Sequence, residues 1–313
     1  MSPLQQHNVD QTKRRRRRVR PGLLPGSNLG AFAIFLLVMF FVFVFVLWPI
    51  CGYLIGKLIH EPGIDIKQQA QFNSIRTALE LFNSEFDGYP PSGPLDEDGR
   101  PYCGAMKLCE AVMGRDLMGF HPDSVFRSDG IGSKGNVLYT KSNAVSEEDY
   151  YDSLKVRKGP YLPLDNANAH TLADIYGKGN TGSFDPNNYV LCDTWRNVTH
   201  TGTGKRIGMP ILYYKADTSK TAHDLNDPNN PENIFDYRDN HALLALGVPG
   251  KPGQKHPLYE DPKIFYEIVR NDRVAGLSVP NRADTFILLS AGHDGLYGTK
   301  DDIANFQFRL KPK

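Results

Sequence analysis

The stretch AFAIFLLVMFFVFVFVLWPI, Ala31–Ile50, sets twenty apolar residues in a row without a charge, and uncharged residues continue to Gly56. At about 1.5 Å per residue, a helix of that length covers roughly 30 Å, the hydrocarbon thickness of a bilayer. Its Val-Phe alternation is strand-like, but a lone strand in lipid leaves its backbone polar groups unpaired, so a helix is the form expected. Lys13, Arg14–Arg18 and Arg20 put seven cations in eight positions ahead of it. The positive-inside rule then assigns residues 1–28 to the cytoplasm as a basic tail, 29–56 to the membrane, and 57–313 to the far side. The segment is too long for a secretory signal core, and Cys51-Gly52-Tyr53-Leu54 offers no Ala-x-Ala cleavage pattern.

With seven cations and Asp10, residues 1–28 carry +6, so of the net +1 the remainder carries −5. That balance argues against a nucleic-acid surface outside the tail, and the arginine run is explained by orientation and anionic lipid head groups. A mean hydropathy of −0.41 despite so apolar a span makes the exported part polar and loop-rich. Of the four cysteines, Cys103, Cys109 and Cys192 lie in the exported part, where a disulfide can persist; their connectivity is left open by the sequence.

Glu61-Pro62-Gly63 predicts a break or kink in the helix. From Asp65 the stripe Phe72, Ile75, Leu79, Phe82, Phe86, spaced 3, 4, 3, 4, predicts an amphipathic helix with Asn73, Arg76, Glu80 and Asn83 on the far side. Gly88 is placed to cap it and Pro90-Pro91 to stop it. The stripe is expected to pack on a sheet containing Ile287 and Leu289. A second helix is expected over about 105–113, and strands near Tyr189–Leu191, Met209–Tyr214 and Thr285–Ser290. Residues 93–190 read as an elaborated insertion and 217–240 as loop; 241–246 and 264–269 are short apolar elements of open type.

Catalytic signatures are thin. Gly202-Thr203-Gly204-Lys205-Arg206 lacks the earlier Gly and the following Ser or Thr of a phosphate loop and reads as a hairpin tip. The nine histidines form no H-E-x-x-H pair, and there is no G-x-S-x-G elbow. After the last strand, Gly292-His293-Asp294-Gly295-Leu296-Tyr297-Gly298-Thr299-Lys300-Asp301-Asp302 holds three carboxylates and three glycines in eleven residues. Such a loop suits calcium, which takes carboxylate and carbonyl oxygens, or else a pair of Asp-Gly turns with solvated acids.

Taken together, FNSIRTALELFNSEFDGYPPS, DTWRN…GMPILYYKAD and FILLSAGHDGLYGTKDDIANF behind a membrane helix resemble the type II secretion pseudopilins, nearest the major G-type member. Asp87, Gly88, Tyr89 and Pro90 match the helix exit; Asp193, Trp195 and Asn197 match the middle motif. Pro210, Tyr213 and Tyr214 follow after a longer loop. Ser290, Gly292, Asp294, Gly295, Asp301 and Asp302 match the terminal loop. The resemblance implies an α+β fold: a transmembrane helix, then an amphipathic helix on a small antiparallel sheet, here with long loop insertions. It further implies a non-enzymatic, single-pass subunit of the bacterial inner membrane, its C-terminal domain in the periplasm. Its partners would be other pseudopilins, secretion-system inner-membrane proteins and the lipid bilayer, and no nucleic acid. Calcium would be held by Asp294, Asp301 and Asp302, with backbone carbonyls near Ser290 completing the shell. The chain departs from the family at Gly30, which is followed by Ala31-Phe32-Ala33-Ile34-Phe35 rather than Phe-Thr-Leu-Ile-Glu, so retention of the tail is expected. The rival class is a membrane-anchored periplasmic enzyme or ligand-binding protein using the long loops 93–190 and 217–262.

Overall fold

The computed structural model describes residues 34, 37–40, 48–139, 146–274 and 278–308. The basic tail and most of the apolar span 31–50 lie outside them. Residues 34, 37–40 and 48–50 are helical, and Ile34, Leu37, Val38, Met39 and Phe40 are all more than half exposed. Among the described residues no helix is long and apolar enough to cross a membrane. The chain divides into two units, Met1–Leu58 and Ile59–Lys313.

The second unit is α+β with small antiparallel sheets. Helix α1 is assigned over Trp48–Phe86 and is continuous through Pro62 and Gly63, so the expected break there does not occur. A proline costs one backbone hydrogen bond and crowds the carbonyl four residues back. That cost is local, and from Gln68 onward burial on the sheet holds the helix. The apolar stripe is placed as its spacing demands: Phe72, Ile75, Leu79 and Phe82 are at most 3% exposed, Phe86 is half-buried, and Asn73, Arg76 and Glu80 are exposed. Asn83, expected on the far side, is half-buried. The left-handed residue that ends α1 is Asp87, at φ 55°, rather than Gly88.

Helix α2 (Gly104–Met113) is buried along its whole length. Three short helices, α3 (Glu147–Val156), α4 (Leu164–Ala167) and α5 (Leu172–Tyr176), follow in the insertion, where the sequence predicts no regular element between α2 and Tyr189. Strand β1 (Ala169–Thr171) runs directly into α5 and pairs antiparallel with β2 (Tyr189–Leu191), Ala169 opposite Leu191. Strands β3 (Val198–Thr199) and β4 (Arg206–Ile207) form the hairpin whose tip is 200–205, as expected. The region 217–240 is largely loop, closed by a 3-10 turn at Tyr237–Asn240. The elements of open type are helical: α6 (His241–Leu244), followed by α7 (Pro257–Glu260) and α8 (Lys263–Val269).

The central sheet is β5 (Leu212–Lys215), β6 (Phe286–Ser290) and β7 (Ile303–Ala304), in the order β5-β6-β7, with Tyr213 opposite Leu288 and Ser290 opposite Ile303. The strand expected from Met209 begins only at Leu212; Pro210 instead makes an isolated bridge to Cys192. Every residue of β6 is buried, so its two faces serve two cores. One holds Phe72, Ile75 and Leu79 of α1, Leu108 and Val112 of α2, and Tyr213, Phe286 and Leu288 of the sheet. The other holds Leu212, Tyr214, Ile287 and Leu289 with Phe265, Tyr266 and Tyr297. Helix α1 therefore packs, as expected, on the sheet containing Ile287 and Leu289, with Phe72, Ile75 and Leu79 on the face bearing Phe286 and Leu288 and Phe82 in the cluster that holds Ile287 and Leu289. Alternate strand residues point to opposite faces, and a run that is apolar on both conceals which is which. Gln71 and Gln68 fasten α1 to the segment after β2: Gln71 Nε2 donates to the Cys192 carbonyl at 2.9 Å, and Gln68 Oε1 accepts from the Thr194 amide at 2.8 Å. Cys103, Cys109 and Cys192 are all buried and free, with no disulfide among them.

Candidate functional site

The loop from Ala291 to Asp302 leaves β6 and returns as β7. Its three glycines, Gly292, Gly295 and Gly298, have φ of 61°, 73° and 94°, the region that other residues enter only with strain. At Gly292 a side chain is excluded twice over, because a Cβ there would lie 2.0 Å from the Asp301 carbonyl oxygen. The acids fold the loop onto itself. Asp301 Oδ2 accepts from the Asp294 amide at 2.8 Å, Asp302 Oδ2 from the Gly298 amide at 2.7 Å, and Asp294 Oδ1 from the Leu296 amide at 2.7 Å. The Thr299 hydroxyl donates to Asp301 Oδ1 at 2.6 Å.

No Lys, Arg or His pairs with any of these three carboxylates among the described residues. Asp302 is 6% exposed, and burial, reinforced by the charges of Asp301 and Asp294, pushes its carboxyl well above the usual range. Asp294 is at the surface, yet partial desolvation and the adjacent Asp301 raise it too. Unpaired acids crowded in this way are the donor chemistry that a hard divalent cation relieves. The three are not, however, drawn together so that one oxygen from each lies within 4.8 Å of the others. Ser290 is fully buried, and its hydroxyl points to Asp193, donating to Oδ2 at 2.8 Å.

That bond is one of several joining the loop to the middle motif, nearly a hundred residues earlier. Asn197 Nδ2 donates to the Gly292 carbonyl at 2.8 Å, Trp195 meets His293 edge-to-face at 5.6 Å, and the Tyr297 hydroxyl donates to the Pro210 carbonyl. Asp193 itself is fully buried, with Oδ1 accepting from the Met209 and Trp195 amides at 3.0 and 3.2 Å. Burial raises its carboxyl to about 7 against the pull of these bonds. The residues that the sequence singled out as separate motifs thus meet at one place.

A second constellation escaped the sequence. His170 on β1, Asp174 on the first turn of α5 and His200 at the end of β3 bring one ligand atom each within 4.8 Å of one another. His170 and Asp174 are four apart, a spacing that signals nothing across a strand–helix junction. His200 comes from a hairpin whose docking depends on the fold: the Thr201 amide bonds the Asp174 carbonyl at 2.9 Å. A polar cleft of about 1180 Å³ also lies along α1, lined by Lys67, Gln71, Asn168, Asp193, Arg196 and Arg206 among others. His241 stacks on Tyr259 at 4.6 Å. No family model matches the chain, and neither a curated protein nor a solved structure is similar to it.

Proposed function

We propose that the chain is a structural, non-enzymatic, pseudopilin-like subunit of a type II secretion or type IV pilus-like assembly. In this reading it is anchored in the bacterial inner membrane by residues 29–56, tail inward, with a periplasmic head that calcium stabilises. The observation that carries it is the docking of the terminal loop on the middle motif, through Ser290–Asp193 and Asn197–Gly292. Those pairs link positions chosen from the resemblance, and a chance match of scattered short motifs has no reason to bring them together. The amphipathic helix lying on a three-stranded antiparallel sheet supports the same reading. Calcium would be held by Asp294, Asp301 and Asp302 with carbonyls of the loop, where it would supply charge neutralisation and no chemistry.

Protease treatment of spheroplasts should digest 57–313 while sparing a membrane-embedded fragment, and crosslinking should recover the chain with other pseudopilins. A chain found in the soluble fraction, or one whose deletion leaves secretion intact, would sink the proposal. The polar cleft along α1 favours the second reading, a membrane-anchored periplasmic ligand-binding protein or enzyme. A ligand that protects Lys67 and Arg206 from chemical modification would favour it.

A further inference from the structure

We propose that His170, Asp174 and His200 form a binding site for a transition-metal ion of the zinc class, separate from the acidic terminal loop and independent of the pseudopilin reading. Two imidazoles and one carboxylate are a nitrogen-rich set suited to zinc and its neighbours, and poorly suited to calcium, which takes oxygen. All three side chains are half-buried, which leaves a fourth position open to water or to a side chain from outside.

The one ligand-to-ligand distance fits a shared metal ion as well as an ion pair. His200 Nε2 and Asp174 Oδ1 are 3.4 Å apart, beyond the ~2.7–3.2 Å of a good N–H···O bond. A tetrahedron built on bonds of ~2.0–2.1 Å has an edge of about 3.4 Å. The surroundings hold the ligands as outer partners do in metal sites. Asp174 Oδ2 accepts from the Thr171 amide at 3.1 Å, in a capping box completed by Thr171 Oγ1 and the Asp174 amide at 3.2 Å, so Oδ1 is left to point at His200. His170 Nε2 lies 3.2 Å from Asn168 Oδ1; donating its proton there leaves Nδ1 as the free lone pair.

His200 imposes a condition. Its Nδ1 accepts from the Gly202 and Thr203 amides at 3.0 and 3.2 Å, which puts the ring proton on Nε2, the nitrogen that faces Asp174. Metal binding at Nε2 moves that proton to Nδ1, with no net release, and the two amides must turn to water. Residues 201–206 are exposed, so water can reach the Gly202 and Thr203 amides while the Thr201–Asp174 bond holds the hairpin in place.

The test uses the full untagged chain in detergent, stripped with chelator, returned to excess calcium, and dialysed against zinc. One tightly bound zinc per chain is expected, and cobalt in its place should give the visible absorption of a tetrahedral centre. His200→Ala and Asp174→Asn should weaken zinc at least tenfold, and Asn168→Ala by roughly 10–100-fold as outer partners do. Asp301→Asn should leave zinc affinity unchanged. Hydrogen exchange at Gly202 and Thr203 in the unaltered chain should quicken when zinc binds, a readout that does not depend on any variant folding. Failure to bind zinc, equal binding by His200→Ala, or unchanged exchange at those amides would overturn the proposal.

Discussion

Truncating Leu79 tests the placement of α1 on the sheet. Leu79 is fully buried among Ile75, Leu108, Val112 and Leu288, residues from two helices and a strand. Leu→Ala at such sites costs about 2–5 kcal/mol, the spread reflecting how far the surroundings collapse into the cavity. Three backbone elements fixed by their own hydrogen bonds collapse poorly, so the loss is expected toward about 3–5 kcal/mol. At ~2–4 °C per kcal/mol for a domain of this size, the melting temperature should fall by roughly 6–20 °C. Leu81, on the same helix but 50% exposed, is the matched control, and Leu81→Ala should stay within about 0.5 kcal/mol. A double-mutant cycle decides the face. Leu79→Ala with Leu288→Ala should couple by about 0.5–3 kcal/mol, whereas Leu79→Ala with Ile287→Ala should add within ~0.3–0.5 kcal/mol. Coupling to Ile287 with additivity at Leu288 would refute this assignment of the β6 faces.

Calcium added to the chelator-stripped chain should raise its melting temperature, by about 2.7 kcal/mol of stability at a hundredfold excess over Kd, and Asp294→Ala should abolish the response. A melting curve indifferent to chelation would leave the loop as a turn. Mass spectrometry of the membrane-extracted chain should find peptides containing Arg20 to Leu24, and a mature terminus at Ala31 would restore ordinary prepilin processing. Burial raises the Asp239 carboxyl to about 7, against ~3.9 in an unfolded chain. Between those values the folded state holds the extra proton, so this contribution is present below about pH 4 and is lost as pH rises through about 7. Asp239→Asn should flatten that part of the stability profile, and an unchanged slope would reassign it.

The α1 stripe is legible because one face is buried and the other is not, which writes a 3-4 spacing into the sequence. The same logic fails for β6: Phe286–Ser290 is buried on both faces, so its location is plain while its register is hidden. Proline and glycine at 62–63 do not end the helix, since a local backbone cost does not outweigh a long helix held elsewhere. Helices of four and five residues in the insertion carry too few periods to show, and α5 is fixed by the Thr171–Asp174 capping box and the hairpin docked on it. In the candidate site, the glycines of 292–298 announce their left-handed backbone. The bond from Ser290 to Asp193 is not foreshadowed in the sequence, as nothing in either segment's chemistry names its partner. The His170–Asp174–His200 group has no sequence signal, because three elements must be folded before it exists.

Three hydrogen bonds join the terminal loop to the middle of the chain. Asn197 to Gly292, Tyr297 to Pro210 and Ser290 to Asp193 are hydrogen bonds from neutral donors, and they anchor its start and its middle. If calcium binds as proposed, it can act on charge, relieving the three carboxylates, or on the shape of the backbone. The two roles separate in a pair of variants. Asn197→Ala removes a bond worth about 0.5–1.5 kcal/mol and should lower stability equally in calcium and in chelator. Asp294→Ala should lower it more in calcium than in chelator, where the lost bond to the Leu296 amide and the lost repulsion oppose each other. Thermal melting of both variants in both buffers reads this directly. If the cost of Asn197→Ala disappears in chelator, the loop undocks without its ion, and calcium shapes it after all.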